Sequence, residues 1–213
     1  MTDQALTIDV YSDVVCPWCY IGKRRLEQAL ETLNRRDTVR VIWRPFQLNP
    51  TMPKAGMDRR VYLQAKFGGP GEMKAIQDRI ATVGMSVGIE FAFDRIERTP
   101  NTFDAHRLIW FAEQQGRQYE VVEELFHGYF TEGLNVGQAG ALVSLAARAG
   151  LDGDKVNRFL QAEEGVETVR QEEDHGHRLG IRGVPYFLLN GKTAISGAHP
   201  VETFVSAITQ PTR

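Results

Sequence analysis

The stretch SDVVCPWCY at residues 12–20 contains both cysteines of the 213-residue chain, Cys16 and Cys19, three positions apart. Residues 6–11 before it alternate apolar and polar side chains, which is the pattern of a half-buried strand. After it, apolar residues recur at helical spacing from Ile21 to Leu33 among charged ones. The sequence therefore predicts a strand that leads into a helix, with the two cysteines at the helix start.

This placement of the cysteines suits redox chemistry. Side chains at positions i and i+3 share one face of the first helical turn, so the two sulfurs can form a bond of about 2.05 Å. The free N–H groups and the positive dipole end at a helix N-terminus favour the thiolate form of Cys16. Pro17 suits the first turn, where its missing N–H costs no hydrogen bond. We predict that Cys16 is the attacking thiol and Cys19 the resolving thiol.

Two other uses of a Cys-x-x-Cys pair stay open at this point: a purely structural disulfide and half of a zinc site. Zinc usually takes four ligands, often from a second Cys or His pair at short spacing, and the chain has no second Cys-x-x-Cys. His175 and His177 are two residues apart, whereas paired zinc ligands on a helix are four apart. We therefore predict no metal site.

The composition narrows the classes of function. A net charge of −2, with 42% hydrophobic and 24% charged residues, gives no reason to expect nucleic acid or an anionic membrane as a partner. No apolar run reaches the roughly 18 residues of a membrane span. The first predicted strand begins near Leu6, which leaves no room for a secretory signal before it. These features predict a cytoplasmic protein, and cysteine pairs in that compartment are usually catalytic.

The remaining patterns indicate an α/β fold. A β-branched and aromatic run at residues 39–46 forms a parallel βαβ unit with the first strand and helix, and residues 58–180 show mainly helical periodicity. Strands at 185–189 and 192–196 then flank Asn190-Gly191, a strong hairpin signal, and a helix follows at 200–209. We predict one mixed sheet built from residues 1–57 and 181–213. An all-helical insertion at 58–180 interrupts it, and the last insertion helix, about 163–180, is a candidate to pack on the sheet.

Several segments of the chain resemble the DsbA family of thiol-disulfide oxidoreductases, in particular its FrnE-like branch. They are residues 12–22, 45–50 (PFQLNP), 101–107 (NTFDAHR) and 183–187 (GVPYF). The resemblance implies a thioredoxin-like fold, βαβ then ββα, with a helical insertion, and disulfide exchange with protein or small-molecule thiols. It also implies that the Val184–Pro185 bond is cis and lies beside the cysteines, and that the Val184 backbone binds the substrate.

The resemblance also suggests roles for neighbouring residues. Pro17, Trp18, Val184 and Pro185 are expected at the substrate-binding surface. Trp18 stands where periplasmic DsbA proteins carry a histidine that helps make them strong oxidants, so a milder, more reducing pair is expected here.

Asp13 and His106 are further candidates. Because a buried carboxylate relays a proton to or from the resolving cysteine in thioredoxins, Asp13 is a candidate proton relay for Cys19. The alternative is a loop aspartate that accepts hydrogen bonds from nearby N–H groups. His106 lies within the resembling segment 101–107 and is a candidate cleft residue, and the alternative is a hydrogen-bonded interior histidine.

Three functions are consistent with these patterns. The first is a thiol-disulfide oxidoreductase or isomerase without a bound cofactor, with glutathione as a candidate co-substrate and a separate partner that recycles the pair. The second is a glutathione-dependent transferase or isomerase of the kappa-class or 2-hydroxychromene-2-carboxylate isomerase type, which usually has serine at the position of Cys16. The third is a binding module without chemistry, which would tolerate loss of both thiols.

Overall fold

A computed structural model describes residues 6–210 of the chain. Its elements, in chain order, are β1 (Thr7–Ser12), α1 (Pro17–Thr32), β2 (Arg40–Pro45), β3 (Met57–Asp58), α2 (Arg59–Phe67), α3 (Pro70–Met85), β4 (Arg98–Thr99), α4 (Phe103–Gln114), α5 (Gln118–Phe130), α6 (Ala139–Arg148), α7 (Gly153–Gln161), α8 (Val166–Arg178), β5 (Tyr186–Leu189), β6 (Thr193–Ser196) and α9 (Val201–Thr209). A short 3-10 turn at Phe93–Arg95 precedes β4. The order confirms the predicted α/β fold with its βαβ and ββα halves.

The central sheet has the strand order β2-β1-β5-β6. β1 runs parallel to β2 and antiparallel to β5, and β5 and β6 form an antiparallel hairpin. Asn190 and Gly191 have φ angles of 49° and 67°, so both residues of the turn adopt the positive φ that a type I′ hairpin requires. This confirms the hairpin that the Asn-Gly signal predicts.

Helices cover both faces of the sheet. Successive side chains of β1 point to opposite faces, and both faces are buried. On one face, Val10 is fully buried, and Phe187 of β5 meets Phe204 of α9 edge to face at 4.8 Å between ring centroids. On the other face, Tyr11 packs against Gly176 of α8, where a Cβ atom would lie 2.8 Å from the ring. Gly22 of α1 lies against the same Phe187 ring, so the cysteine helix α1 is on the opposite face of the sheet from α8.

Helices α2 to α7 lie between β2 and α8 in the chain, and the two-residue antiparallel ladder of β3 and β4 stands within the same segment. Two residues are too few to show an alternating pattern, so the sequence did not predict this ladder. Residues 89–93 form no strand in the structure, and Phe91 stacks on Phe93 at 4.9 Å between ring centroids. None of the helices within residues 6–210 is long and apolar enough to cross a bilayer. The domain boundaries at residues 57 and 180 stay a prediction.

A buried charge cluster attaches α1 to α5. Lys23 is 1% exposed and forms salt bridges with Glu27 of its own helix and with Glu123 of α5, the latter at 2.6 Å. Tyr20 also donates a hydrogen bond to Glu123 at 3.0 Å. Burial opposes ionisation of both carboxyls, but Lys23, together with Arg24 and a neighbouring tyrosine hydroxyl, outweighs it and lowers the pKa of Glu27 and Glu123. The cluster thus fixes the orientation of the cysteine helix relative to the inserted helices.

Candidate active site

Cys16 and Cys19 lie at the start of α1. Cys16 has an extended backbone and Pro17 is the first helical residue, so the helix begins between the two cysteines. The Cys19 N–H donates to the Cys16 carbonyl oxygen at 3.0 Å. Both thiols are free, and the side chain of Cys16 is 4% exposed whereas that of Cys19 is 0% exposed. Both cysteines are buried, but Cys16 lines the adjacent cavity and Cys19 does not, so a reactant in the cavity can reach Cys16.

The loop before β5 forms a second wall beside Cys16. The Val184–Pro185 peptide bond is cis, as the family resemblance implies. The Cys16 thiol donates to the carbonyl oxygen of Val184 at 3.6 Å, so a residue 168 positions later in the chain contacts the first cysteine. The tertiary structure brings the two segments together in the arrangement that the resemblance implies.

The Val184–Pro185 loop packs closely against α1 because residue 22 of the helix is a glycine. This role of Gly22 was not predicted from the sequence. A Cβ atom at position 22 would lie 3.1 Å from Cγ of Pro185 and 3.0 Å from Cζ of Phe187. Pro185 therefore packs against the helix backbone, behind Val184, and is not among the residues that line the adjacent cavity. A glycine six residues after the first cysteine of a Cys-x-x-Cys helix was the available signal.

A cavity of about 330 Å³ opens beside Cys16. Pro17, Trp18 and Val184 line it, as expected for the substrate-binding surface, and Asp13 lies at its inner end. Its outer wall comes from α2 and α3, with the apolar side chains Leu63, Phe67, Met73, Ile76 and Ile80. This wall could not be predicted from the sequence, because apolar residues at helical spacing have the same pattern whether they face a core or a cavity.

Asp13 is buried beside the cysteines at 1% exposure. Its Oδ2 accepts a hydrogen bond from the Leu48 N–H at 2.7 Å, and its Oδ1 accepts one from the Val15 N–H at 3.4 Å. Complete burial raises the pKa of the Cys19 thiol well above its usual value, and the neighbouring Cys16 raises it further, whereas a backbone hydrogen bond at Asp13 lowers it. Cys19 therefore stays protonated until a base accepts its proton.

His106 of α4 lies behind Asp13 and does not line the cavity. It is 2% exposed, and its Nε2 atom is 3.6 Å from Oδ1 of Asp13. Among the residues that the structure describes, Nε2 has no hydrogen-bond partner. The structure thus places His106 in the interior, in contact with the site through Asp13.

No group of three or more His, Cys, Asp and Glu side chains within residues 6–210 is arranged to hold a metal ion. His175 and His177 of α8 contact different parts of the structure. The ring of His177 packs on Phe46 at 5.1 Å between ring centroids, and His175 lines a separate surface pocket.

Known proteins resemble this chain over nearly its whole length. The DSBA-like thioredoxin domain family matches residues 7–209. The uncharacterized protein YwbO of Bacillus subtilis (strain 168) is 31% identical over 202 residues, which cover 94% of each chain.

Solved structures agree with the family match. The crystal structure of a probable DsbA oxidoreductase from Streptomyces coelicolor has a TM-score of 0.88 at 33% identity, covering 98% of this chain and 93% of that one. The cytosolic disulfide reductase DsbM of Pseudomonas aeruginosa, solved with GSH, has a TM-score of 0.63 at 17% identity and covers 95% of this chain and 96% of its own. The second likeness shows the fold alone. The chain belongs to the DsbA-like thioredoxin domain family.

Proposed function

We propose that the chain is a cytoplasmic thiol-disulfide oxidoreductase or isomerase that acts on protein or small-molecule disulfides through Cys16 and Cys19. The observation that carries the proposal is the asymmetry of the two thiols. One thiol stands at a helix N-terminus beside a cavity, and the other is fully buried within the same first turn. Membership of the family supports the reaction class, and the resemblance to its FrnE-like branch stays part of the proposal.

In the first step, the Cys16 thiolate attacks one sulfur of the substrate disulfide. A bond forms between that sulfur and Cys16 while the substrate's own S–S bond breaks, and the departing thiolate takes up a proton. The positive end of the helix dipole at the start of α1 stabilises negative charge on Cys16. Val184 borders the attacking sulfur, so its backbone holds the substrate alongside.

In the second step, Cys19 loses its proton and attacks the sulfur of Cys16. This forms the Cys16–Cys19 disulfide and releases the second half of the substrate as a thiolate, so two electrons pass from the dithiol to the substrate. Because burial raises the pKa of Cys19, the step needs a base. Asp13 is the carboxylate that is buried beside it, and we assign it this role. The reverse sequence oxidises a substrate dithiol.

Glutathione is the proposed co-substrate that returns the oxidised pair to the dithiol. Two glutathione molecules supply the two electrons and leave as glutathione disulfide. The GSH in the structure of DsbM supports this choice, because that protein shares the fold. A dedicated protein partner is the alternative source of electrons.

The proposal is tested by equilibrating the protein with glutathione buffers and measuring the Cys16–Cys19 disulfide by mass spectrometry. We expect a reversible two-electron transition in the wild type. With a substrate disulfide, the Cys19→Ser variant should accumulate a mixed disulfide on Cys16, whereas Cys16→Ser should form none. Failure of the wild type to form the disulfide in an oxidising buffer would refute the proposal.

The glutathione-dependent transferase or isomerase function is less well supported, because the chain retains a cysteine at position 16 where those enzymes usually have serine. The two functions respond differently to Cys16→Ser. An isomerase or transferase that uses bound glutathione keeps activity with a serine at this position, and the oxidoreductase loses it.

A further inference from the structure

The cavity beside Cys16 has the size of a small-molecule pocket. Cys16 is 4% exposed, so the cavity is the route to its sulfur. A volume of about 330 Å³ is near the lower end of the range for small-molecule pockets. A cavity of this volume suits a small disulfide better than an extended polypeptide.

The walls of the cavity favour a ligand with an apolar body. The side chains that α2 and α3 present to it are largely aliphatic or aromatic, and two of them, Phe67 and Ile76, remain 44% and 38% exposed. A ligand in contact with them would remove this apolar surface from water.

Positive charge in the cavity is not neutralised by neighbouring carboxylates. Arg59 and Lys66, seven residues apart on α2, both line the cavity. Arg59 donates to the Tyr129 hydroxyl at 2.9 Å and Lys66 donates to the Tyr62 hydroxyl at 3.1 Å, and neither forms a salt bridge with any residue in the described part of the chain.

Two further observations favour an anionic ligand at this position. The Nε atom of Arg59 is buried and, within residues 6–210, has no hydrogen-bond partner. The one acidic residue that lines the cavity, Asp13, already accepts two backbone hydrogen bonds at the inner end. The attraction for anions is local, since the chain as a whole carries a net charge of −2.

We propose that the cavity selects small disulfides and thiols that combine an apolar body with a carboxylate. The apolar body packs on the α2–α3 wall, the carboxylate pairs with Lys66 and Arg59, and the sulfur faces Cys16. The exchange at sulfur rests on the function proposed above and follows the same two steps. The selectivity for an apolar, carboxylate-bearing substrate goes beyond that function.

Two aromatic disulfides of different charge test the selectivity. The anionic probe is 5,5′-dithiobis(2-nitrobenzoate), and the neutral probe is 4,4′-dithiodipyridine. The measurement is the second-order rate of the reduced protein with each probe, given as the ratio of variant to wild type so that the intrinsic reactivity of the probe cancels. Lys66 is exposed, so Lys66→Gln should fold normally, and a thermal melt verifies this.

We expect Lys66→Gln to slow the anionic probe by roughly two- to fivefold, the range for a partly exposed charge pair, and to leave the neutral probe unchanged. Arg59→Gln should act in the same direction. The matched controls are Lys74→Gln on α3 and Arg60→Gln beside Arg59, which remove the same charge from positions that do not line the cavity. Neither control should change the rate of either probe. Added salt should lower the rate of the anionic probe in the wild type and lower it less in Lys66→Gln.

Several outcomes would overturn the selectivity. One is an equal effect of Lys66→Gln on both probes, and another is an equal effect of Lys66→Gln and Lys74→Gln on the anionic probe. A third is a much faster reaction of the wild type with a scrambled, unfolded protein disulfide that Lys66→Gln leaves unaffected, which would indicate a polypeptide substrate. In each of these cases the wild type still reacts through Cys16 and the oxidoreductase function stands. If the wild type reacts with neither probe nor protein, the oxidoreductase function itself fails.

Discussion

Substitution of Gly22 by alanine tests whether the contact between α1 and the Val184–Pro185 loop positions Cys16. The new methyl group would lie 3.0 Å from the Phe187 ring and 3.1 Å from the Pro185 ring. Neither ring can move easily: Phe187 is 0% exposed and packs on Phe204. Overpacking of this kind costs about 1–3 kcal/mol. Replacing a glycine within a helix by alanine returns about 0.5–1 kcal/mol.

The steric cost should exceed the gain in helix propensity, so we expect Gly22→Ala to lower the free energy of unfolding by up to about 2.5 kcal/mol. Gly140→Ala in α6 is the matched control, since no atom lies within 4 Å of its added Cβ, and it should leave the free energy unchanged or raise it by up to about 1 kcal/mol. Urea unfolding followed by circular dichroism measures both.

The same substitution should act on function. If α1 and the loop separate by a few tenths of an ångström, the Val184 carbonyl shifts relative to the Cys16 sulfur, and the reaction of Cys16 with a disulfide should slow more in Gly22→Ala than in Gly140→Ala. An increase in stability for Gly22→Ala equal to that of the control, with an unchanged reaction rate, would show that the close packing at this position does not constrain the site.

Three further predictions concern the buried polar groups. Lys23→Met removes the buried cation between Glu27 and Glu123, which are half-buried and still pair with Arg24, and should cost about 1–3 kcal/mol of unfolding free energy at neutral pH. Because the pKa of both carboxyls is lowered in the folded state, the stability they provide is present above about pH 4.3 and is lost as the pH falls through their folded values; an acid titration of unfolding should therefore show a smaller loss in Lys23→Met than in the wild type. In a Cys16→Ser variant, iodoacetamide at pH 8 should alkylate Cys19 at least roughly tenfold more slowly in the folded protein than in urea, because burial raises the pKa of Cys19 and only the thiolate reacts; equal rates would contradict its burial. Asp13→Asn should leave formation of the mixed disulfide on Cys16 nearly unchanged and slow its resolution by about tenfold or more, measured by acid-quench mass spectrometry; unchanged resolution would remove Asp13 from the proton relay.

Much of the fold could be predicted because its signals are local. The alternation in β1, the helical spacing after Cys19 and the Asn190-Gly191 turn each depend on interactions within a few residues of the chain. The two-residue ladder of β3 and β4 could not be predicted, because so short a strand has no pattern and forms only where the inserted helices bring its halves together.

Some features of the site could likewise be predicted from local sequence, and others depend on tertiary packing. The spacing of Cys16 and Cys19 and their place at the start of a helix follow from the sequence alone, since the geometry of one helical turn is the same in every protein. Only the tertiary structure decides which thiol is reachable, because burial depends on packing between segments far apart in the chain. For the same reason, it alone shows that Gly22 receives the Pro185 ring, that His106 lies behind Asp13, and that apolar residues of α2 and α3 line a cavity instead of a core.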